Sequence, residues 1–443
     1  MTARPTLREL RACLEGAVPA VLATCDADGV PNVAYLSQVF YVDERHVALS
    51  FQFFNKTRRN ILANPHATVM LIHPRTGGMY RLHIRYLRTE SEGALFERMK
   101  AQLAGIASHS GMDGVFKLLG SDVYEVERAE QVPGQPVPLP PRPEGRIAAL
   151  RTCAEAIARS TTLEDALSAV LATLSDGLAM PHAMVLMHDA AADRLYTVAS
   201  CGYATSGVGS ELKVGQGVIG VAARERTPVR ISHLTSAAAY TQAMRGALAP
   251  EDEPGTEIPY PGLREPHSQL AVPVLSQGRL LGVLFVEGPH DLQFGYEEED
   301  VLVTIASHLG AAIDLLQVAP DAEPEVPRGT PASTEAGTAL QVRHFAANDS
   351  LFLGDQYLIK GVAGAILWKL VRDHASTGRT EFSNRELRLD PALRLPEVSD
   401  NLEARLLLLQ RRLQEHGSDL RIERTGRGRF RLQVARPLKL VEA

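Results

Sequence analysis

At 443 residues the chain is too long for a single ordinary core, so two to four domains are expected. Its 46 Lys and Arg stand against 52 Asp and Glu, a net charge of -6, which excludes a polycation whose whole surface binds nucleic acid. The four cysteines, Cys13, Cys25, Cys153 and Cys201, form no CxxC or zinc spacing, which argues against a disulfide scaffold; with no 18-residue apolar run and no signal-peptide pattern, the reading is a cytoplasmic protein without a membrane partner.

Residues 1–131 read as the first domain. After the helix LRELRACLEG come the strand AVLATC, the turn DADG and a second strand VPNVAYLSQVFYV. VALSFQF runs back, NKTRRNILANP is a short helix stopped at Pro65, and ATVMLIHP and GMYRLHIRYLRTESE are further strands. A helix, ALFERMKAQLAGIA, and a last strand, SDVYEVERAEQV, complete a small closed antiparallel barrel. Alternation along RLHIRYL puts Leu82, Ile84 and Tyr86 on one side. Arg81, His83 and Arg85 fall on the other, facing either solvent or a cleft for an anionic cofactor. His46, His66, His73 and His83 carry no catalytic assignment, and Cys13 and Cys25 read as buried apolar side chains.

The strand followed by NKTRRNILANP resembles the FMN-binding split barrel of the pyridoxamine-phosphate oxidase-like family. The resemblance implies that FMN is the cofactor. Its phosphate would be held by Ser50, Gln52, Lys56, Thr57 and Arg58, in a homodimer with the flavin at the subunit boundary. Unpaired N–H groups at a helix start, with a lysine beside them, suit such an anion.

The proline-rich stretch 132–143 is a stiff spacer. Residues 144–317 form a second domain. It opens on the amphipathic helices of RIAALRTCAEAIARSTTLEDALSAVLATLSDGLA and closes on YEEEDVLVTIASHLGAAIDLLQ. Between them VGQGVIGVAARERTPVRISHL and SQLAVPVLSQGRLLGVLFVEG carry short strands and glycine turns. These runs resemble the GAF family of small-molecule and redox sensors, which implies an α/β fold and a small-molecule ligand that the sequence does not name. The long polar stretch 236–267 reads either as a lid over that ligand or as a surface insertion. Cys201 reads either as a buried structural cysteine or as a redox-sensitive or pigment-attaching thiol. No metal site is assigned.

A second linker, 318–341, precedes a module over 342–443 with 18 Lys and Arg against 13 Asp and Glu. Ser383, with Glu386 three residues on, is a capping-box pattern. Leu402, Leu406, Leu409 and Leu413 make one buried stripe on a long helix, with Leu407 and Leu408 outside it. LRIERTGRGRFRLQV is a hairpin. SDNLEARLLLLQRRLQ with that hairpin resembles the winged helix-turn-helix of OmpR-like response regulators, which implies double-stranded DNA as a partner. The contacts implied are Asn401, Arg405, Arg411, Arg412, Arg424, Arg427, Arg429 and Arg431.

The fold class expected is therefore multidomain: an antiparallel split β-barrel, an α/β GAF-like domain and a winged-helix C-terminal domain. The function expected is a ligand- or redox-responsive regulator that binds DNA as a homodimer, and not an enzyme. The alternatives are a flavin-dependent oxidoreductase with accessory regulatory domains, or a protein-interaction signalling scaffold.

Overall fold

The computed structural model describes residues 5–36, 38–51, 56–109, 117–137, 145–232, 258–318, 339–393, 402–417, 419–426 and 428–442. Gln52, Asn401, Arg427, most of the 236–267 stretch, half of the first linker and most of the second lie outside them.

In the first domain the strands are β1 (Ala20–Cys25), β2 (Pro31–Leu36), β3 (Phe40–Tyr41), β4 (His46–Phe51), β5 (His66–Ile72), β6 (Met79–Glu90) and β7 (Gly120–Gln131). They form one curled antiparallel sheet in the order β2-β1-β5-β6-β7-β4-β3. Among the described residues no ladder joins β2 to β3, so the sheet curls without closing there, in keeping with the split β-barrel expected. The expected N-terminal helix shrinks to α1 (Arg11–Leu14); α2 (Lys56–Ala63) and α3 (Ala94–His109) follow. Leu82 and Ile84 fill the barrel core together with Val69, Leu71 and Tyr124. The opposite side of β6 is partly exposed to solvent, as one of the two readings had it, with its charges paired: Arg81 and His83 meet Glu130, and Arg85 meets Glu125 and Glu127.

The central domain is built on the antiparallel order β10-β9-β8-β13-β12-β11. These are β8 (His182–Asp189), β9 (Arg194–Cys201), β10 (Glu211–Lys213), β11 (Val229–Ile231), β12 (Ser268–Ser276) and β13 (Arg279–Gly288). Residues of α4 (Arg146–Arg159), α5 (Leu163–Ala172) and α7 (Tyr296–Val318) form one core with Val185, Val272 and Leu284 of the sheet. The other core takes α6 (Gly217–Glu225), Met184, Leu186 and Phe285, together with Ala101 from α3 of the barrel. Both faces of the sheet are therefore covered, which is why its middle strands read as continuous apolar runs. None of the helices formed by described residues is long and apolar enough to cross a membrane.

The C-terminal module begins with strands that the sequence reading lacked: β14 (Leu340–Phe345), β15 (Ser350–Leu353) and β16 (Gln356–Ile359). The last strand, β20 (Leu438–Glu442), returns parallel to β14. Between them lie α8 (Gly361–Thr377), β17 (Glu381–Ser383), α9 (Asn384–Leu389), α10 (Leu402–Glu415), β18 (Leu420–Gly426) and β19 (Arg429–Val434). Ser383 caps α9 by accepting from the Glu386 N–H at 3.3 Å. The Glu386 carboxylate turns to Arg379 instead of closing the box. Leu407 and Leu408, outside the expected stripe, are nonetheless buried, because α10 lies between its own module and the central domain.

One close approach can be tested directly. A Cβ on Gly310 of α7 would lie 2.3 Å from the Leu275 carbonyl oxygen of β12. Alanine favours a helix over glycine by about 1 kcal/mol, but here the collision should dominate and Gly310→Ala should destabilise the domain by about 1–3 kcal/mol. Urea unfolding of both proteins measures this; a stabilised variant would refute the close packing of α7 on β12.

Candidate functional site

The barrel holds a cavity of about 200 Å³ where β4 ends and α2 begins. Ser50 and Phe51 from β4, Thr57 and Arg58 from α2, Tyr35 from β2, and Asp122 and Tyr124 from β7 line it. The Asn32 side-chain amide donates to the Thr57 hydroxyl at 3.0 Å. Lys56, the first residue of α2, is exposed. The first turn of a helix has N–H groups with no partner inside the helix, the feature by which helix starts hold anions.

Arg58 does not serve that end as expected. Its guanidinium forms an ion pair with Asp122, donates to Thr89 at 3.1 Å, and sits 3.7 Å from the Phe51 ring centroid. Thr89 in turn is hydrogen-bonded to Tyr86 at 2.7 Å and donates to Asp122. Arg58 is thus a wall of the cavity, its charge balanced by a carboxylate. No local signal marked Asp122 or Thr89; the β6–β7 register pairs them with each other, and they meet Arg58 from far along the chain. Of the five expected contacts, Ser50, Thr57 and Arg58 line the cavity, Lys56 stands at the helix start, and Gln52 is outside the described residues.

The cavity is smaller than the roughly 300–1,000 Å³ usual for small-molecule sites. Its rim strand is bare: Tyr35 is 82% exposed and Val33 64%. Thr57, Ser50 and the N–H groups that open α2 are of the kind that would hold a phosphate, with Lys56 as the cation at the helix start. The rest of a flavin phosphate would need an additional wall.

In the central domain Glu287 of β13 is 1% exposed. It accepts from the Leu263 N–H at 2.7 Å and from the Gln269 amide at 3.2 Å. Burial pushes its carboxyl above the ordinary 4.5, with those donors pulling the other way. Tyr203 is pushed upward by burial and then by the Glu287 charge. Cys201 donates to the Pro181 carbonyl at 3.3 Å, and burial raises its thiol pKa. Cys13 is buried and its thiol is pushed up to about 12, so neither thiol has the lowered pKa of a reactive thiolate.

In the C-terminal module the expected contacts separate. Arg405 pairs with Asp189 of β8 at 2.6 Å, Arg411 donates to the Val198 carbonyl of β9 at 2.8 Å, and Arg412 donates to the Leu358 carbonyl at 3.1 Å. Arg405 is buried, and Arg411 and Arg412 are half-buried. Arg424 pairs with Glu403 and Arg431 with Glu381, while Arg429 lies on the same strand as Arg431. Asn401 and Arg427 lie outside the described residues.

A family model described as "Pyridoxamine 5'-phosphate oxidase" matches residues 6–127, and one described as "GAF domain" matches residues 162–313. The chain carries a pyridoxamine-phosphate-oxidase-like split barrel and a GAF-like domain. Both matches end before the C-terminal module. The first match also corrects the expectation that the chain is not an enzyme, because the family that the barrel resembles is one of oxidases.

Among solved structures, the chain is similar to the GAF domain of an Acinetobacter phosphoenolpyruvate-protein phosphotransferase. The identity is 20%, covering 41% of this chain and 100% of that one, with a TM-score of 0.33. It is similar to an FMN-binding protein from Syntrophomonas wolfei at 16% identity over 29% of this chain and 88% of that one, with a TM-score of 0.24. It is similar to free methionine-R-sulfoxide reductase from Neisseria meningitidis at 17% identity over 40% and 94%, with a TM-score of 0.30. No curated protein matches the chain.

The Glu287 environment sets a pH dependence. A carboxyl raised on folding contributes stability at low pH that is lost as pH rises from about 4.5 through its folded value. Glu287→Gln keeps an acceptor for Leu263 and cannot ionise, so the variant should lack this loss. Thermal melts from pH 4 to pH 8 should show the wild type losing ground to the variant as pH rises; parallel curves would refute a raised carboxyl.

Proposed function

We propose that the barrel is the catalytic module of a flavin-dependent oxidoreductase and that the GAF-like domain is a ligand-responsive regulator attached to it. The observation that carries the reading is the barrel cavity lined by Ser50 and by Thr57 at the start of α2, which opens on Lys56, within a domain that matches an oxidase family. Lys56, Thr57 and Ser50 would hold the phosphate of FMN, and Gln52 belongs to the same proposed set. A bound flavin supplies two-electron oxidation and reduction. The residues of this chain bind and orient: Arg58, locked by Asp122 and Thr89, keeps the cavity wall rigid, and Phe51 stacks beneath its guanidinium. The exposed Tyr35 and Val33 beside the cavity support a homodimer in which a second copy completes the site.

A second reading is favoured by the order of α8, α9 and α10 ahead of the β18–β19 ribbon, which is that of a winged helix. In it the C-terminal module would bind double-stranded DNA through the set Asn401, Arg405, Arg411, Arg412, Arg424, Arg427, Arg429 and Arg431, of which Arg405, Arg411 and Arg412 would first have to leave the contacts described above. Phe430 and Leu432 point into the module, so Arg429 and Arg431 occupy the outward side of the ribbon, where phosphate contacts would form.

Lys56→Ala tests the first reading. An exposed lysine adds charge to the site and little to the core, so the variant should fold normally and bind FMN roughly tenfold more weakly, or about 1.4 kcal/mol. Titration by flavin fluorescence quenching measures this. Equal affinity in both proteins would move the phosphate away from α2, and no saturable binding to the wild type would remove the flavin altogether.

A further inference from the structure

The face of α10 that carries arginine is covered by the GAF-like domain. Arg405 is 6% exposed at its side chain, paired with Asp189 and seated 4.1 Å from the Tyr196 ring centroid. One and a half turns on, Arg411 reaches the Val198 carbonyl, and Glu415 accepts from Ser206 in the loop after β9. That loop turns at Gly209 with φ +90°, and a Cβ there would lie 3.5 Å from Arg412 Cδ and 3.7 Å from Leu408 Cδ1.

Arginine is a poor choice for an interface whose only purpose is to hold. Buried ion pairs can often be replaced by apolar side chains of similar size with no loss of stability. Arg411 contributes one hydrogen bond to a neutral carbonyl, and its burial works against its charge more than Glu164 and Glu415 support it. Released, Arg405 and Arg411 would lie bare on one helix, while Arg412 keeps its hydrogen bond to the Leu358 carbonyl of its own module. Guanidinium groups match phosphate oxygens in pairs, as a leucine-lined protein groove would not require.

We propose that the GAF-like domain locks the C-terminal module by covering the arginine face of α10, and that opening the lock frees that face for the phosphate backbone of duplex nucleic acid. This rests on the second reading above, and its test separates the two. Asp189 is the key to the lock. Its Oδ1 also caps the turn after β8, accepting from the N–H groups of Ala191 and Ala192 at 3.1 Å, while Oδ2 meets Arg405. Asp189→Asn keeps the turn acceptor and removes the charge; Asp189→Lys adds repulsion.

The experiment uses the full chain, a fluorescent 30-base-pair duplex of random sequence at two salt concentrations, and small-angle scattering for the overall dimensions. Circular dichroism melts confirm folding, and Asp189→Asn alone decides the matter if Asp189→Lys does not fold. Expected are an increased radius of gyration and duplex affinity at least tenfold tighter for Asp189→Lys, with Asp189→Asn between it and wild type. The gain should fall with salt and vanish when Arg405→Ala and Arg411→Ala are added. Equal dimensions with equal duplex binding by all variants would overturn the lock and leave the nucleic-acid reading standing. Expansion without duplex binding would overturn both, and self-association in its place would assign the face to a second copy. Neither expansion nor binding would also overturn both.

Discussion

Arg230 is the point on which the relation of the first two domains depends. It lies on β11 of the central domain and is 6% exposed. A guanidinium cannot lose its proton in ordinary conditions, so burying it commits the fold to supply negative charge nearby. Two elements do so: Glu15, just after α1 of the barrel, and Glu299, in the first turn of α7. Burial works against the charge, but Glu15 and Glu299 hold its pKa above the ordinary arginine range. The Tyr296 ring lies against the same guanidinium at 4.3 Å and against Arg11 of the barrel at 4.9 Å. Removing either carboxylate leaves buried charge behind, so the barrel and the central domain are tied by a contact that is costly to break one side at a time.

The apolar packing runs beside that contact. α3 leaves the barrel and lies on α6 and β11, where Gly105 lets Val229 approach: a Cβ on Gly105 would lie 2.5 Å from Val229 Cγ1. A GAF-like sheet with one face open would expose Met184, Leu186 and Phe285 on that side. Here the barrel helix helps to cover them through Ala101. The opposite face is closed by the domain's own helices, and α10 of the C-terminal module joins the same core. The central sheet thus serves as a hub whose two faces each meet a different neighbour.

Much of this was legible in the sequence, and what was not has identifiable causes. The alternation in RLHIRYL correctly put Leu82 and Ile84 in the barrel core, because period-two burial is a local property. The Ser383 cap was legible for the same reason. Asp122 was not, because its role depends on a strand register and on a helix from another part of the chain. The β14–β16 meander was missed because short strands with closely spaced turns give little periodic signal, and β20 completes the sheet only by returning from the far end. Arg58 was read as a ligand group because a basic run at a helix start looks the same whether it meets a phosphate or an internal carboxylate.

The leucines of α10 carry the same lesson further. Leu402, Leu406, Leu409 and Leu413 suffice to seat the helix on its own module, and all are buried. Leu407 and Leu408 add a second apolar side, which a freestanding recognition helix would have no need to cover. Their burial shows that this helix is packed from more than one direction. A helix with apolar residues on two sides and arginines between them satisfies two requirements at once: apolar area for docking, and charge that docking alone does not call for. The sequence holds both signals, but the leucines read as a flaw in the helix until the second surface that covers them is known.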